Sequence, residues 1–284
     1  MSGPPRLTRA ARAALLAGGL GLAVWAVAIE PRWLRTRSRE LAVPGLPAGL
    51  EGLRAAVIAD LHVGAPPVDE RRLRRIVGRL NAAAPEIVLI LGDLLAHEGL
   101  FRRVPDPELV AAWLAALEAP LGVFAVLGNH DWAGGRGDRL TRAAADVGIR
   151  VLDDDAALVL RDGRHPLWLA GIADAASRVP DVAGTLGRVP DGAPVLALTH
   201  SPDVFPHVPA RVSLTLAGHT HGGQVRVPFI TRRVIPSRFG NRYARGHVVE
   251  GGRHLFVHPG VGTAGPPIRF RSPPELTILT LRSA

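Results

Sequence analysis

Five short clusters of His, Asp and Asn stand in order along this chain, each at the end of an apolar run. They are Asp60-Leu61-His62, Gly92-Asp93, Gly128-Asn129-His130-Asp131, Thr199-His200 and Gly218-His219-Thr220-His221-Gly222-Gly223. Short apolar runs bounded by turn signals read as strands buried on both faces. The clusters therefore fall in loops at the ends of buried strands, and any fold for this chain has to be built around that arrangement.

The runs Leu53–Ala59, Ile87–Leu91 and Gly122–Leu127 lead into the first three clusters. Helical patterns lie between them. From Asp69 to Asn81, Leu73, Ile76, Val77 and Leu80 recur at i, i+3, i+4 and i+7, and Arg71, Arg72, Arg75 and Arg79 are read as a solvated face. Glu108–Glu118 and Asp138–Val147 give two further helices, and Ile149–Leu152 a fourth strand. This alternation predicts an α/β layered fold with ligands at the carboxyl ends of its strands. The second half is richer in strands. Leu158–Leu160 and Leu167–Ile172 flank Asp162-Gly163, and His247–Glu250 and His254–Val257 flank Gly251-Gly252, both hairpin signals. Val195–Thr199 and Leu214–Ala217 run into His200 and His219, and Leu276–Leu281 closes the chain.

There is no Cys, so thiolate zinc sites and disulfides are excluded, and a metal would have to be held by His, Asp, Asn and water. All 34 Lys and Arg residues are Arg, and the net charge is +9. Residues 1–40 hold seven of those arginines against Glu30 and Glu40, more than half of the excess. The surplus left for the body is modest, so no nucleic-acid partner is expected; attraction to anionic lipid explains the asymmetry better.

Ala13–Ile29 is an uncharged run of 17 residues with arginines on both sides. As a helix it spans roughly 25 Å, slightly less than a hydrocarbon core of about 30 Å. Trp25 and Trp33 suit a membrane interface. The expectation is a single uncleaved N-terminal anchor. The alternatives are export after cleavage at Ala26-Val27-Ala28 and a peripheral helix. Pro44–Gly52 reads as a linker. The predicted organisation is residues 1–40 as anchor or signal with basic flanks, 41–52 as linker and 53–284 as the enzymatic body.

The clusters supply enough hard and borderline ligands for two divalent ions, an arrangement suited to in-line displacement at phosphorus. Such ions need a shared ligand, and Asp93 on its glycine turn is the candidate. Gly92, Gly128 and Gly218 are expected to let the backbone turn sharply before each cluster. The spacing of Asp60 and His62 puts both side chains on one side of an extended segment, suited to one ion. His219 and His221 are instead assigned one to each ion, because so many ligands must be shared. Asn129 supplies a neutral oxygen. His130 is not needed as a ligand and is free for proton transfer, with Asp131 able to orient its ring.

In this order the motifs Asp60-x-His62, Gly92-Asp93, Gly128-Asn129-His130-Asp131, His200 and Gly218-His219-Thr220-His221 resemble the calcineurin-like metallophosphoesterase superfamily. The resemblance covers about residues 53–281. It implies a four-layer α-β-β-α sandwich, a pair of mixed β-sheets flanked by helices. It also implies two divalent metal ions, with Mn, Fe or Zn suited to the donor set. Asp60, His62, Asp93 and His221 would hold one, and Asp93, Asn129, His200 and His219 the other. A bridging hydroxide would attack phosphorus while His130 protonates the leaving oxygen. The stretch Gly218–Gln224, followed by Val225-Arg226-Val227-Pro228, Tyr243 and Gly260-Val261-Gly262, is similar to a bacterial membrane-associated branch. That branch includes phosphodiesterases and UDP-diacylglucosamine pyrophosphohydrolases, and implies an inner-membrane location and a lipid-linked phosphoester substrate. Members often carry Arg just before the late Gly-x-Gly, where this chain has Pro259.

Phosphomonoester or phosphoprotein hydrolysis, and a non-catalytic scaffold of the same fold, are the alternative readings. The six other histidines (97, 165, 207, 247, 254 and 258) lack motif context and are read as surface or core, with His97 and His258 the nearest to motif loops. Arg226, Arg242 and Arg245 are candidates for contact with a substrate phosphate.

Overall fold

The computed structural model describes residues 8–99, 102–228, 231 and 235–284. Residues 1–7 of the expected basic N-terminal segment lie outside the described residues. Helix α1 (Arg9–Val24) is capped by Thr8, whose hydroxyl accepts from the Ala11 amide, and it buries none of its residues. It continues through a π-type turn (Trp25–Ile29) and a 3₁₀ turn (Glu30–Arg32). Together Arg9–Arg32 make 24 helical residues, within which an 18-residue stretch has a mean hydropathy of 1.8. The full helical length is roughly 36 Å, long enough for the hydrocarbon core. The apolar run alone gave a shorter figure because it stopped short of the helical residues at either end.

In chain order the body contains β1 (Arg35–Val43), β2 (Arg54–Ile58), α2 (Glu70–Ala82), β3 (Ile87–Leu91), α3 (Pro107–Leu114) and β4 (Val123–Val126). The single turn α4 (Asn129–Trp132), α5 (Gly137–Asp146), β5 (Ile149–Val151), β6 (Asp155–Arg161), β7 (His165–Gly171) and α6 (Val182–Gly187) follow. The chain ends with β8 (Val195–Leu198), β9 (Leu214–Ala217), β10 (Gly246–Glu250), β11 (Arg253–Val257) and β12 (Glu275–Ser283). Two mixed six-stranded sheets result, ordered β1-β12-β2-β3-β4-β5 and β10-β11-β9-β8-β7-β6.

Alternation along each strand divides the apolar runs between two cores. On β3, Ile87, Leu89 and Leu91 face the second sheet, where they meet Leu196, Leu214 and Phe256. Val88 and Ile90 face the helices, packing with Leu73, Ile76 and Leu80 of α2 and Val110 and Leu114 of α3. A third cluster joins Val195 and Ala197 of β8 to Leu186 of α6. This is the expected sandwich of two sheets flanked by helices.

Two features differ from the sequence reading. Arg35–Val43, which fell in the basic flank and linker, is a strand that pairs in parallel with β12 over nine residues. Only Leu41 and Val43 are buried in it, so it shows no apolar run; its polar outer residues suit a sheet edge. Arg72 is not solvated. It is buried on α2 and donates to the carbonyls of Pro31 at 3.0 Å and Arg32 at 3.2 Å. Carbonyls at a helix end lack intrahelical donors, and a guanidinium satisfies them.

The strands β2, β3 and β4 are mutually parallel, as are β8 and β9, so each sheet delivers its cluster-bearing loops to one edge. Backbone bonds tie these loops together, including Asp60 amide to Gly92 carbonyl at 3.0 Å and Gly218 amide to His200 carbonyl at 2.9 Å.

Candidate metal centre

Asp93 lies at the middle of the loop cluster. Gly92, just after β3, has φ 81°, and a Cβ there would stand 2.6 Å from His200 Nδ1 and 2.7 Å from the Gly128 amide nitrogen. Only glycine fits both the conformation and the space. The turn aims the Asp93 carboxylate inward. Its Oδ1 accepts the His130 amide at 2.9 Å, and Oδ2 stands 3.6 Å from His62 Nε2, 3.3 Å from His200 Nε2 and 4.0 Å from His130 Nε2. Gly128 plays another part than the expected turn. Its backbone is extended, and a Cβ there would collide with the Asp93 carboxylate.

On one side of Asp93, ligand atoms of Asp60, His62 and His221 lie within 4.8 Å of one another. The Nε2 atoms of His62 and His221 face each other at 3.0 Å with their rings stacked. Asp60 Oδ1 accepts the His219 amide at 3.1 Å, while Oδ2 is buried without a partner among the described residues. On the other side, Asp93, His200 and His219 form a second such group. His219 Nδ1 lies 3.1 Å from His200 Nε2. His200 Nδ1 donates to the Leu91 carbonyl at 2.8 Å, which aims Nε2 into the cluster. The Asn129 carboxamide oxygen is buried and likewise without a partner among the described residues.

Asp60, His62, Asp93, His219 and His221 all adopt positive φ, at 54°, 47°, 54°, 69° and 52°. The expected extended Asp60–His62 segment is therefore absent. The chain coils at each strand end, and bonds such as His62 amide to Asp93 carbonyl at 3.0 Å hold it there. A non-glycine residue in this region costs about 1–2 kcal/mol, and such residues gather at functional sites.

Burial is the largest influence on the imidazoles. It lowers His62 to about 3, His219 to about 4 and His221 well below its ordinary range, leaving their lone pairs free. Burial raises Asp60 to about 7. Burial acts against charge on Asp93 and His200 too, but their mutual attraction outweighs it and keeps the carboxylate ionised.

This donor set fits divalent cations. Buried acceptors without partners cost about 1–3 kcal/mol each, and facing imidazole nitrogens offer at most one proton between them. A cation in each group would satisfy both conditions. All seven expected ligands are brought together: Asp60, His62, Asp93, Asn129, His200, His219 and His221.

His130 is partly exposed at the wall of the same cavity, its ring edge-on to His62 and to His97 at centroid distances of 4.8 and 5.7 Å. The expectation for Asp131 is corrected. Its carboxylate accepts the Leu95 amide at 2.9 Å and the Gly128 amide at 3.0 Å, and makes no hydrogen bond to the His130 ring among the described residues. It is buried, burial raises its pKa to about 7, and it fastens the loop that carries His130. His258 is also structural: its Nδ1 accepts the Gly260 amide at 3.0 Å.

Sequence reasoning missed the support behind His221. Arg269 is fully buried, donates to the carbonyls of Gly262, Pro259 and Ser272, and brings Nη2 to 3.5 Å from His221 Nδ1. Ser272 donates its hydroxyl to the His221 carbonyl at 3.1 Å, and its amide donates to Glu30 at 2.6 Å. Glu30 takes the Trp25 indole with its other oxygen, at 2.6 Å. The only sequence signal was a charged residue, Arg269, between Ile268 and Phe270.

A cavity of about 370 Å³ opens over Asp93, Asn129, His130, His219 and His221, with Val225, Pro236, Ala264 and Pro266 forming an apolar wall. Gln224 fixes that wall by donating to the Ala264 carbonyl at 2.9 Å and accepting its amide at 3.0 Å.

Comparison with known proteins agrees with this geometry. Residues 53–223 match the family described as calcineurin-like phosphoesterase. An uncharacterized metallophosphoesterase of Bacillus subtilis, YkuE, is 30% identical over 96% of this chain and 93% of its own length. The UDP-2,3-diacylglucosamine pyrophosphatase LpxG of Chlamydia trachomatis is 27% identical over 90% of this chain and 92% of its own. A zebrafish (Danio rerio) transmembrane protein with metallophosphoesterase domain is 31% identical over 86% of this chain, which spans 56% of that relative.

Proposed function

Because the chain belongs to the calcineurin-like metallophosphoesterase family and is a metal-dependent hydrolase, we propose that it is a two-metal, membrane-anchored enzyme acting on phosphodiester or pyrophosphate bonds. The carrying observation is the Asp93 carboxylate, which lies between two groups of buried donors at the floor of one cavity. Asp60, His62, Asp93 and His221 would hold one ion, and Asp93, Asn129, His200 and His219 the other; Mn, Fe and Zn suit these donors. When bound, the two ions supply Lewis acidity and a nucleophilic water at phosphorus.

The chain's own groups do the rest. His130 is fixed through its amide on Asp93 and faces the cavity with Nε2, because Nδ1 is buried. It presents the Nε2 proton to the leaving oxygen. The apolar wall at Val225, Pro236, Ala264 and Pro266 excludes water and suits a lipid-linked nucleotide such as UDP-diacylglucosamine, as the Chlamydia relative's name supports. The N-terminal helix would anchor the enzyme in the inner membrane, uncleaved. The Ala26 carbonyl accepts the Arg269 amide at 2.9 Å, and cleavage after Ala28 would remove that bond from the loop backing His221.

Metal-loaded protein assayed against a monoester, a diester and UDP-diacylglucosamine, with His130→Ala as control, tests the proposal. Greatest turnover on the pyrophosphate or diester supports it; turnover confined to monoesters rejects it.

A further inference from the structure

A second cavity, of about 550 Å³, is lined by Arg226, Arg245 and Arg271 together with Asn241 and Ala244, and it shares none of these residues with the metal-centre cavity. Nearby arginines are engaged: Arg242 with Glu250, Arg238 with Asp203, and Arg253 with the Pro206 carbonyl at 2.8 Å. By contrast, Arg226, Arg245 and Arg271 make no ion pair and no side-chain hydrogen bond among the described residues. Every Asp and Glu of the chain belongs to the described residues, so no undescribed carboxylate neutralises them. Arg245 is half-buried, and burial and then the Arg226 charge lower its pKa, with Arg39 and Arg37 acting in the same direction. Glu275, the one acid acting on it, already pairs with Arg39 at 3.0 Å.

Like charges gathered in a concavity without a counterion form a site for an anion. Its position says which anion. Arg271 stands between Arg269, whose amide bonds the Ala26 carbonyl, and Ser272, whose amide bonds Glu30. It is thereby held against the carboxyl end of the N-terminal helical segment. Arg37 and Arg39, which bear on Arg245, lie on β1 directly after that segment. We propose that Arg226, Arg245 and Arg271 form a second anion site, distinct from the metal centre, that holds the phosphate of an anionic phospholipid headgroup where the anchor leaves the bilayer. This rests on the reading of Arg9–Arg32 as a membrane anchor.

The test uses the full chain in dodecyl maltoside micelles, with the apparent Tm measured on adding phosphatidylglycerol, phosphatidylcholine or inorganic phosphate. Phosphatidylglycerol should raise Tm by about 3 °C or more, and phosphatidylcholine should not. The triple variant Arg226→Gln, Arg245→Gln, Arg271→Gln should lose most of that shift. The double variant Arg226→Gln, Arg271→Gln, in which both side chains are exposed, serves if the triple variant fails to fold. An unchanged shift in the variant, or an equal shift with phosphatidylcholine, overturns the proposal. A full shift with inorganic phosphate alone overturns the lipid source and leaves a free-anion site. Alkaline carbonate extraction of membranes separately tests the anchor, since release into the supernatant rejects that reading whatever the micelles show.

Discussion

Asp93 Oδ1 accepts the backbone amide of His130 at 2.9 Å. One carboxylate thus fixes the proposed proton donor with one oxygen and leaves the other between His62 and His200. The placement of that donor and the proposed sharing of metal ions rest on the same side chain.

Asp93→Asn keeps an oxygen for the His130 amide but turns an NH₂ group toward His62 and His200. Metal content measured by inorganic mass spectrometry should fall from two equivalents to below one, and turnover should drop at least about 10²-fold. The far-UV spectrum should not change. Two equivalents of metal retained at full occupancy would reject the shared-ligand role.

His130→Ala should leave metal content intact and slow hydrolysis of an alkyl ester by about 10²–10⁴-fold. The loss should be much smaller for a nitrophenyl ester, whose leaving oxygen needs no proton. Equal losses on both esters would exclude His130 as the acid.

Asp131→Asn tests the corrected role. Asn offers an acceptor to only one of the amides of Leu95 and Gly128, and the other is left facing a donor. The expected outcome is a stability loss of about 1–3 kcal/mol, read as a lower Tm, with kcat reduced far less than in His130→Ala. A loss of kcat as large as that of His130→Ala at unchanged Tm would restore the ring-orienting role.

Glu30→Gln leaves one of its two donors, the Trp25 indole or the Ser272 amide, facing an NH₂ group. Faster amide exchange across residues 269–272 is expected, together with weaker metal retention at His221, whose carbonyl Ser272 holds. The mass of the membrane-extracted protein should include the residues before Ala28. A mature chain beginning at residue 29 with unchanged exchange at residues 269–272 would refute the coupling.

The sequence by itself determined most of the strands and the class of chemistry. Runs such as Ile87–Leu91 are apolar enough to be strands in any surroundings, and their ends carry residues whose types limit the ligand to a cation. It also picked out the candidate ligands that folding brings together, because motif order survives without coordinates. Tertiary structure decided everything that depends on what lies across space. Asp131 looked like a partner for its neighbour His130, yet its carboxylate goes to amides 36 and 3 residues away. Arg72 looked solvated until the end of the N-terminal helix packed over it, and β1 became a strand only because β12 lies beside it. Ser272 and Glu30 have no local pattern at all, and Arg269 has only its apolar neighbours Ile268 and Phe270. Their roles are hydrogen bonds across up to 242 residues, and local sequence carries no record of a partner that only folding brings near.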